Sequence, residues 1–542
     1  MDKFLGKTRK LIFTKQGGMF SSALILAVMI VASSFFGFLR YRILAGFFSK
    51  EELDIYFASF RIPDLVFEIL ITGALTSSFI PIYIKFKKNK EELSKNISSI
   101  INIISLILFV FVTLVFVFLN KIVFLITPGF DAHKTQEIVF YSRMLIIGQL
   151  PFLVFGNFLT GIGQANKIFL ITAIAPIIYN LSVIVTTVFF TRNLFLMAPI
   201  IGVILGALLF FLIQLPLLYT KDFNYLPIIS ITNGLKDFFR MVVPRVFTVT
   251  ASQIDATVDL TLTTLMGGGA YTIFYLAQRL QLLPISVIGV AFGQASLPYL
   301  SEICEEKKFV EFKKIIIDSI LNLFFLTIPI MSFFVFARTP LIRLFFGGQK
   351  FDWEATVQTA VTLSYFALSL PFHTIYYFLT RCFYAILDSK TPFFVSIFSI
   401  LLNTCLSLLF TLVFKLPVWS LAIAFSLSIT VNVILLLLIL HHRLNGLDFR
   451  FLAVETLKMI VATFISSVFV YFLMKLFDGL IFDTSRTINV FLLLFTGISI
   501  YTVLYLFLAW VFDIKEIYLI SKLLLKAREY QRKIIEVYVS YE

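Results

Sequence analysis

Apolar runs long enough to cross a lipid bilayer recur along nearly the whole chain of 542 residues. A membrane-spanning helix needs about 20 consecutive, mostly apolar residues. Charged residues make up 14% of the chain, whereas about 25% is usual in a soluble protein. The pattern therefore predicts an all-α polytopic membrane protein rather than a soluble enzyme or binding domain.

We distinguish fourteen such runs, and the first of them, residues 19–39, follows a basic segment. A basic segment before an apolar run is also the pattern of a signal peptide. This run is longer than the apolar part of a signal peptide and lacks a small-residue cleavage site, so we expect a retained first span. Lys and Arg are concentrated in the loops on the side of the N-terminus, which predicts that both termini are cytoplasmic.

The chain contains an internal repeat, because Leu-Pro-Phe followed by Phe-Leu-Thr occurs within residues 150–160 and again within 370–380. Six predicted spans separate the copies, so the two halves have the same orientation. Parallel halves are a known plan of transporters, which bind substrate between them. We therefore predict two parallel six-helix lobes, 1–219 and 220–440, followed by two further helices and a basic cytoplasmic tail in 441–542.

Polar residues form a face on the opening helices of both halves, at steps of three or four positions that share one side of a helix. The faces comprise Arg61, Asp64, Glu68, Thr72 and Thr76 in the second span, Arg245, Thr248, Ser252, Asp255, Asp259 and Thr263 in the seventh, and Arg279 in the eighth. A charge at membrane depth costs at least about 2.5–3.5 kcal/mol unless it faces protein or water. The faces therefore predict a water-filled cavity, although ion pairs that only hold helices together would give the same spacing.

The sequence lacks the patterns of catalytic, metal and nucleotide sites. The four histidines and three cysteines have no metal-ligand or disulfide spacing. The glycines at 267–269 are not followed by the lysine of a phosphate-binding loop. A net charge of +14 is typical of topology signals in a membrane protein and does not indicate nucleic acid. We expect a transporter and not an enzyme, with no cofactor, no nucleotide and no nucleic-acid partner.

Short motifs follow one another in a fixed order through both halves. They are Gly37 with Arg40, then residues 54–57, 60–63, 73–74 and 79–81, and in the second half 252–254, 258–259, 275–284 and 390–392. In order and spacing they resemble the MurJ/MviN family of lipid II flippases, part of the multidrug/oligosaccharidyl-lipid/polysaccharide exporter superfamily. The resemblance implies transport of a lipid-linked peptidoglycan precursor across the bacterial cytoplasmic membrane, with a groove for its lipid tail on the last two spans.

Arginines suit the diphosphate of such a substrate, because the guanidinium group forms paired hydrogen bonds with phosphate oxygens and stays protonated. We expect Arg40, Arg61 and Arg279 to face the diphosphate. The carboxylates on the same helices would hold these arginines in the empty cavity or close one gate. The predicted substrate-binding residues are Arg40, Arg61, Arg279, Asp54, Glu68, Thr72 and Asp255.

Some family members hold a sodium ion between the seventh, eleventh and twelfth spans. The resemblance implies Asp259 and Asn403 as sodium ligands in this chain. Ser407 stands where a carboxylate is usual in that site, and Phe425 stands where a threonine is usual. Because the sequence shows no nucleotide site, we expect the energy for transport to come from a sodium or proton gradient or from the membrane potential. We expect the two halves to rock around the cavity.

Two other transport functions are alternatives. The family usually carries an arginine at position 34, aspartate at 41, arginine at 67 and glutamate at 72, where this chain has Ser34, Tyr41, Phe67 and Thr72. The missing charges favour, as one alternative, a flippase for another undecaprenyl-linked saccharide. The second alternative is a cation-coupled multidrug antiporter, but cavity arginines would repel its cationic substrates.

Overall fold

The computed structural model describes residues 19–69, 75–166, 168–219 and 223–518, and within these ranges the regular structure is helical. The basic N-terminal segment and most of the basic tail lie outside the described residues. The α-helices are α1 (Met19–Phe47), α2 (Lys50–Ser59), α3 (Arg61–Phe67), α4 (Leu75–Phe86), α5 (Lys90–Ile126), α6 (Ala132–Gly148), α7 (Leu150–Ala165), α8 (Phe169–Leu194), α9 (Met197–Gln214), α10 (Asn233–Thr264), α11 (Ala270–Pro284), α12 (Ala291–Glu305), α13 (Phe309–Phe336), α14 (Arg338–Phe346), α15 (Trp353–Leu368), α16 (Leu370–Ala385), α17 (Lys390–Leu408), α18 (Trp419–Arg443), α19 (Phe449–Leu480) and α20 (Thr487–Val511).

Among the described residues, 10 helical segments are long and apolar enough to cross a membrane. They coincide with predicted spans three to six, eight, nine and eleven to fourteen. The prediction of an all-α polytopic membrane protein is confirmed, whereas the count of fourteen spans stays a prediction. The seventh predicted span is absent from the ten because Arg245, Asp255 and Asp259 lower the hydropathy of α10. The second is absent because residues 70–74 lie outside the described residues and its helices α3 and α4 are each too short to cross a membrane.

The internal repeat is visible as two helices of equal length. Both α7 and α16 have 16 residues and begin with Leu-Pro-Phe, with the proline in the first turn. Proline is well accommodated there, because the first-turn amides of a helix have no intrahelical acceptor. In both copies a single residue separates the helix from the preceding one, which ends at Gly148 and at Leu368. The repeated sequence therefore encodes the same local structure twice.

By compactness the chain forms two units. The first contains Met1–Thr272 and Phe345–Ala355, and the second contains Ile273–Leu344 and Thr356–Glu542. Helix α10 thus belongs to the first unit, although the repeat assigns it to the second lobe. The two units are defined by contacts between residues, whereas the predicted lobes are defined by the internal repeat. The lobe boundaries therefore stay a prediction.

In the first unit, α8 packs along α9 and α1, and glycines allow α8 and α9 to approach closely. A Cβ atom on Gly202 of α9 would lie 1.9 Å from Thr186 Oγ1 and 2.8 Å from Val183 Cα. No side chain fits in that space without moving the backbone of α8.

Gly202→Ala is therefore expected to destabilise the protein by about 1–3 kcal/mol, the usual cost of overpacking a core. The measurement is the thermal unfolding midpoint in detergent. Gly46→Ala is the matched control, because a Cβ on Gly46 would meet nothing within 4 Å and alanine favours helix. Equal unfolding midpoints for the two variants would contradict the close packing of α8 on α9.

In the second unit, α16 packs against α12, α13 and α18, while α19 packs against α13 and α20. Pro329 in α13 has no amide hydrogen, so it leaves the carbonyl of Phe325 without its usual helical donor. The hydroxyl of Tyr505 on α20 donates to that carbonyl at 3.1 Å. Tyr501, one turn earlier, donates to the carbonyl of Pro329 at 3.2 Å. Tyr505 thus satisfies the carbonyl that the proline frees in an apolar setting, and Tyr501 adds a bond to the carbonyl of the proline itself.

Candidate functional site

Arg61, at the start of α3, is bound to α10 by three hydrogen bonds. Its Nε donates to Thr257 Oγ1 at 3.0 Å, and its Nη2 donates to the carbonyl of Gln253 at 2.6 Å and to Gln253 Oε1 at 2.7 Å. The acceptors are neutral oxygens, so these bonds fix the guanidinium group without cancelling its charge. A half-buried cation held in this way is suited to attract an anion.

Asp255 and Asp259 lie one turn apart on α10, and Asp259 is buried. Asp255 and Arg61 are the charged neighbours that act on Asp259. Side chains two positions apart on a helix point about 200° apart. Asp255 and Asp259 therefore lie on nearly the opposite side of α10 from Gln253 and Thr257. Neutral oxygens thus hold Arg61 through hydrogen bonds, while Asp259 interacts with it electrostatically, and the holding role of the carboxylates stays a prediction.

Arg40, on α1, lies among tyrosines. Its guanidinium carbon is 4.9 Å from the ring centre of Tyr41 and 5.9 Å from that of Tyr179 on α8. Arg40 and Asp64 both act electrostatically on the buried hydroxyl of Tyr56 and on that of Tyr179. Aromatic faces stabilise a cation by about 0.5–2 kcal/mol without neutralising it. Arg40 thus keeps its charge inside an aromatic environment of the first unit.

Asp54, on α2, is fully buried and caps the start of α11. Its carboxylate accepts hydrogen bonds from the amides of Gly269 and Thr272, at 2.6 and 2.8 Å, and from Thr272 Oγ1 at 2.8 Å. Burial raises the pKa of Asp54 to about 7, against the lowering effect of these bonds. Nearby, Lys50 forms ion pairs with Asp352 at 3.7 Å and with Glu354 at 3.5 Å. Asp54 therefore positions α11 against α2, and its predicted contact with substrate stays a prediction.

Asp54→Ala is expected to lower the thermal unfolding midpoint in detergent markedly, since each buried amide left without an acceptor costs about 1–3 kcal/mol. Asp54→Asn should cost less, because the side-chain oxygen of asparagine can still accept a hydrogen bond from one of the two amides. The control is Asp237→Ala, which removes the ion pair with Lys85, exposed on both sides and worth about 0–1 kcal/mol. A midpoint for Asp54→Ala equal to that of the control would contradict the capping role.

Glu68 and Thr72 are the other substrate-binding residues predicted in the second span. Glu68 follows the last residue of α3, and its side chain is half-buried. Thr72 lies outside the described residues, as do the side chains of Arg245 and Thr248. The binding roles predicted for Glu68 and Thr72 stay predictions.

Arg279, the remaining predicted arginine, belongs to the second unit. It lies on α11 with an exposed side chain, and its guanidinium carbon is 4.8 Å from the ring centre of Tyr275, one turn earlier. An exposed arginine in the middle of a helix that can span the membrane needs water or a polar partner. The convergence of Arg279 with Arg40 and Arg61 stays a prediction.

Asn403 and Ser407 are buried one turn apart on α17. Ser407 Oγ has no hydrogen-bond partner among the described residues. Both side chains offer neutral oxygens, which can ligate sodium or water, and the sodium site of Asp259 and Asn403 stays a prediction. No group of three or more His, Cys, Asp or Glu residues in the described ranges is arranged to hold a metal.

Sequence reasoning missed Tyr179, Gln253 and Thr257 as partners of the arginines. Gln253 and Thr257 are four positions apart on α10, a spacing that could have identified a second polar face. For Tyr179, which lies on α8 far from Arg40 in sequence, we find no comparable signal.

The family model described as lipid II flippase MurJ matches residues 43–492. A probable lipid II flippase MurJ of Buchnera aphidicola subsp. Acyrthosiphon pisum (strain APS) is 26% identical over 506 residues, which cover 90% of this chain and 96% of the relative. The lipid II flippase MurJ of Burkholderia cenocepacia is 26% identical over 380 residues, covering 67% and 72%.

Solved structures show the same fold. A lipid II flippase MurJ in an inward closed conformation superposes with a TM-score of 0.73 at 25% identity, covering 90% of this chain and 99% of that one. An inward-facing multidrug resistance transporter of the MATE family superposes with a TM-score of 0.67 at 16% identity, covering 79% and 99%. The second likeness concerns the fold alone.

Proposed function

Because the chain belongs to the lipid II flippase MurJ family, we propose that it moves lipid II, the lipid-linked precursor of peptidoglycan, across the bacterial cytoplasmic membrane. The substrate has an apolar tail, a diphosphate and a large polar headgroup. The tail can stay in the bilayer, whereas the charged headgroup needs a polar path. We propose that the polar faces on the first helices of each half line that path.

We propose that Arg40, Arg61 and Arg279 face the diphosphate. The observation that carries this step is the bonding of Arg61, whose guanidinium group is fixed by neutral oxygens of Gln253 and Thr257. A cation that is already held in position stabilises an entering phosphate and loses little conformational entropy when it binds. Charge-assisted hydrogen bonds to phosphate are about twice as strong as neutral ones.

The proposed cycle alternates access between the two sides of the membrane. Within the first unit, Asp54 ties α2 to the start of α11, and Lys50 ties α2 to residues 352–354. With both termini in the cytoplasm, these contacts lie at the outer surface. We propose that they close the outer side and separate when the protein opens outward.

We propose an electrochemical energy source, either a sodium or proton gradient or the membrane potential. Moving one charge through 100 mV supplies about 2.3 kcal/mol. Asp259 and Asn403 are the proposed sodium ligands if sodium is the coupling ion. No covalent step is needed, so the proposed activity is transport and not catalysis.

The experiment that tests the function is complementation of bacterial cells depleted of their own lipid II flippase. The wild-type chain is expected to restore growth and normal shape. A well-expressed, membrane-inserted wild-type chain that fails to rescue would contradict the proposal. Rescue instead of cells lacking a flippase for another undecaprenyl-linked saccharide would favour that alternative, which the missing family charges support.

A further inference from the structure

We infer that a cavity in the first unit binds an acyl chain of an anionic membrane phospholipid. The cavity lies beside α5, between α7, α9 and the extended segment 223–232 that leads to α10. Its volume is about 700 Å³, within the range of about 300–1,000 Å³ that small-ligand sites occupy. The inference goes beyond the proposed transport of lipid II, because the cavity involves none of the residues proposed to bind that substrate.

The walls of the cavity are apolar over most of their area. Phe155 and Phe158 of α7 and Phe211 of α9 form one side, and Pro227 and Ile229 of the extended segment form another. Polar groups enter only through Asn102 and Ser105 of α5 and through Tyr225. Such a lining accepts a hydrocarbon chain and offers a polar headgroup only one place to bind.

Hydrogen bonds to α5 hold the extended segment in place. The amides of Asn224 and Leu226 donate to Ser94 Oγ at 3.0 Å and to Ser98 Oγ at 2.9 Å. Asn102 Nδ2 donates to the carbonyls of Leu226 and Ile228, at 3.1 and 2.8 Å. Non-helical backbone at membrane depth is tolerated only where its polar groups are satisfied in this way. The segment is therefore a fixed wall of the cavity.

The rim of the cavity exposes large apolar side chains. Leu106 of α5 is 51% exposed, Ile229 is 69% exposed and Tyr225 is 53% exposed. Because α5 is one of the helices long and apolar enough to span the membrane, we place Leu106 and the apolar rim beside it in contact with lipid. The medium that covers it supplies acyl chains at high local concentration, which makes a membrane phospholipid the occupant.

The charge at the polar end of the cavity selects an anionic headgroup. Tyr225 donates its hydroxyl hydrogen to Asn102 Oδ1 at 2.6 Å, and Lys95 lies seven residues before Asn102, about two turns along the same side of α5. Four lysines outnumber two glutamates where α5 begins: Lys87, Lys88, Lys90 and Lys95 against Glu91 and Glu92. Asn102 and Tyr225 already donate within the protein, so the excess of lysines where α5 begins is what favours an anionic headgroup.

The test counts phospholipid bound to the purified full-length chain by native mass spectrometry in mild detergent, with phosphatidylglycerol added. Ser105→Trp fills the cavity. Thr113→Trp is the matched control, because Ser105 and Thr113 each bond to their own helix and Thr113 is exposed about two turns further along α5, outside the cavity lining. Wild type and Thr113→Trp are expected to bind phosphatidylglycerol, and Ser105→Trp about tenfold more weakly, as two lost methylene contacts would already produce.

Leu218→Trp, made in parallel, fills the cavity from another wall and keeps the test valid if Ser105→Trp does not fold. Thermal unfolding without added lipid identifies correctly folded variants. Equal binding of phosphatidylglycerol by wild type and a folded cavity-filling variant would overturn the inference. Displacement of phosphatidylglycerol by undecaprenyl phosphate would also overturn it, by assigning the cavity to the tail of the transported substrate.

Discussion

Replacing Arg61 with alanine is expected to lower the rate of lipid II translocation about 10- to 100-fold. A charge-assisted hydrogen bond to the diphosphate is worth about 1.5–3 kcal/mol, and 1.36 kcal/mol corresponds to a tenfold change in rate. In flippase-depleted cells, Arg61→Ala should support little or no growth at an expression level at which the wild type restores it.

The control variants separate the charge of Arg61 from its positioning. Arg61→Lys keeps the charge but cannot bond to Gln253 and Thr257 as a planar fork, so we expect partial function. Thr257→Val removes one of the three hydrogen bonds and should reduce transport only modestly. Full growth with Arg61→Ala, at normal expression, would contradict a role for this cation in transport.

Replacing Arg279 with alanine is expected to abolish complementation as well. Arg279 is an exposed cation on a helix able to span the membrane, where it costs at least about 2.5–3.5 kcal/mol unless it faces water or a polar partner. We propose that this cation binds the diphosphate during transport, so its removal would weaken the binding of substrate. The measurement is growth of flippase-depleted cells with Arg279→Ala beside the wild type.

Arg279→Lys and Tyr275→Leu are the matched variants for this prediction. The lysine keeps a positive charge and should retain part of the function, whereas Tyr275→Leu removes only the ring beneath the guanidinium group. A defect in Tyr275→Leu as severe as that in Arg279→Ala, with both proteins inserted, would indicate that the pair stabilises α11 and does not bind substrate.

Local features of the fold could be predicted from the sequence. The helices α7 and α16 follow from the repeated Leu-Pro-Phe, because a proline that opens a helix acts through its own turn. The long apolar helices follow from hydropathy for the same reason. In each case the residues that decide the structure are neighbours in the sequence.

The candidate site could be predicted only in part, because its contacts join distant residues. Asp54 was expected to touch substrate or an arginine, yet its acceptor oxygens bind amides that follow it by 215 and 218 positions. Arg61 was correctly placed on a polar face, but its partners Gln253 and Thr257 are 192 and 196 positions away. Helical periodicity identifies a polar face and does not identify which helix it meets.

The central claim is that arginines from the two halves carry the diphosphate of lipid II through the protein. The most direct test measures lipid II on the outer face of flippase-depleted cells, as headgroup cleaved by an enzyme that cannot cross the membrane. We expect cleavage to return with the wild type and to stay at the depleted level with Arg61→Ala combined with Arg279→Ala. Cleavage restored equally by the wild type and by the inserted double variant would contradict the account.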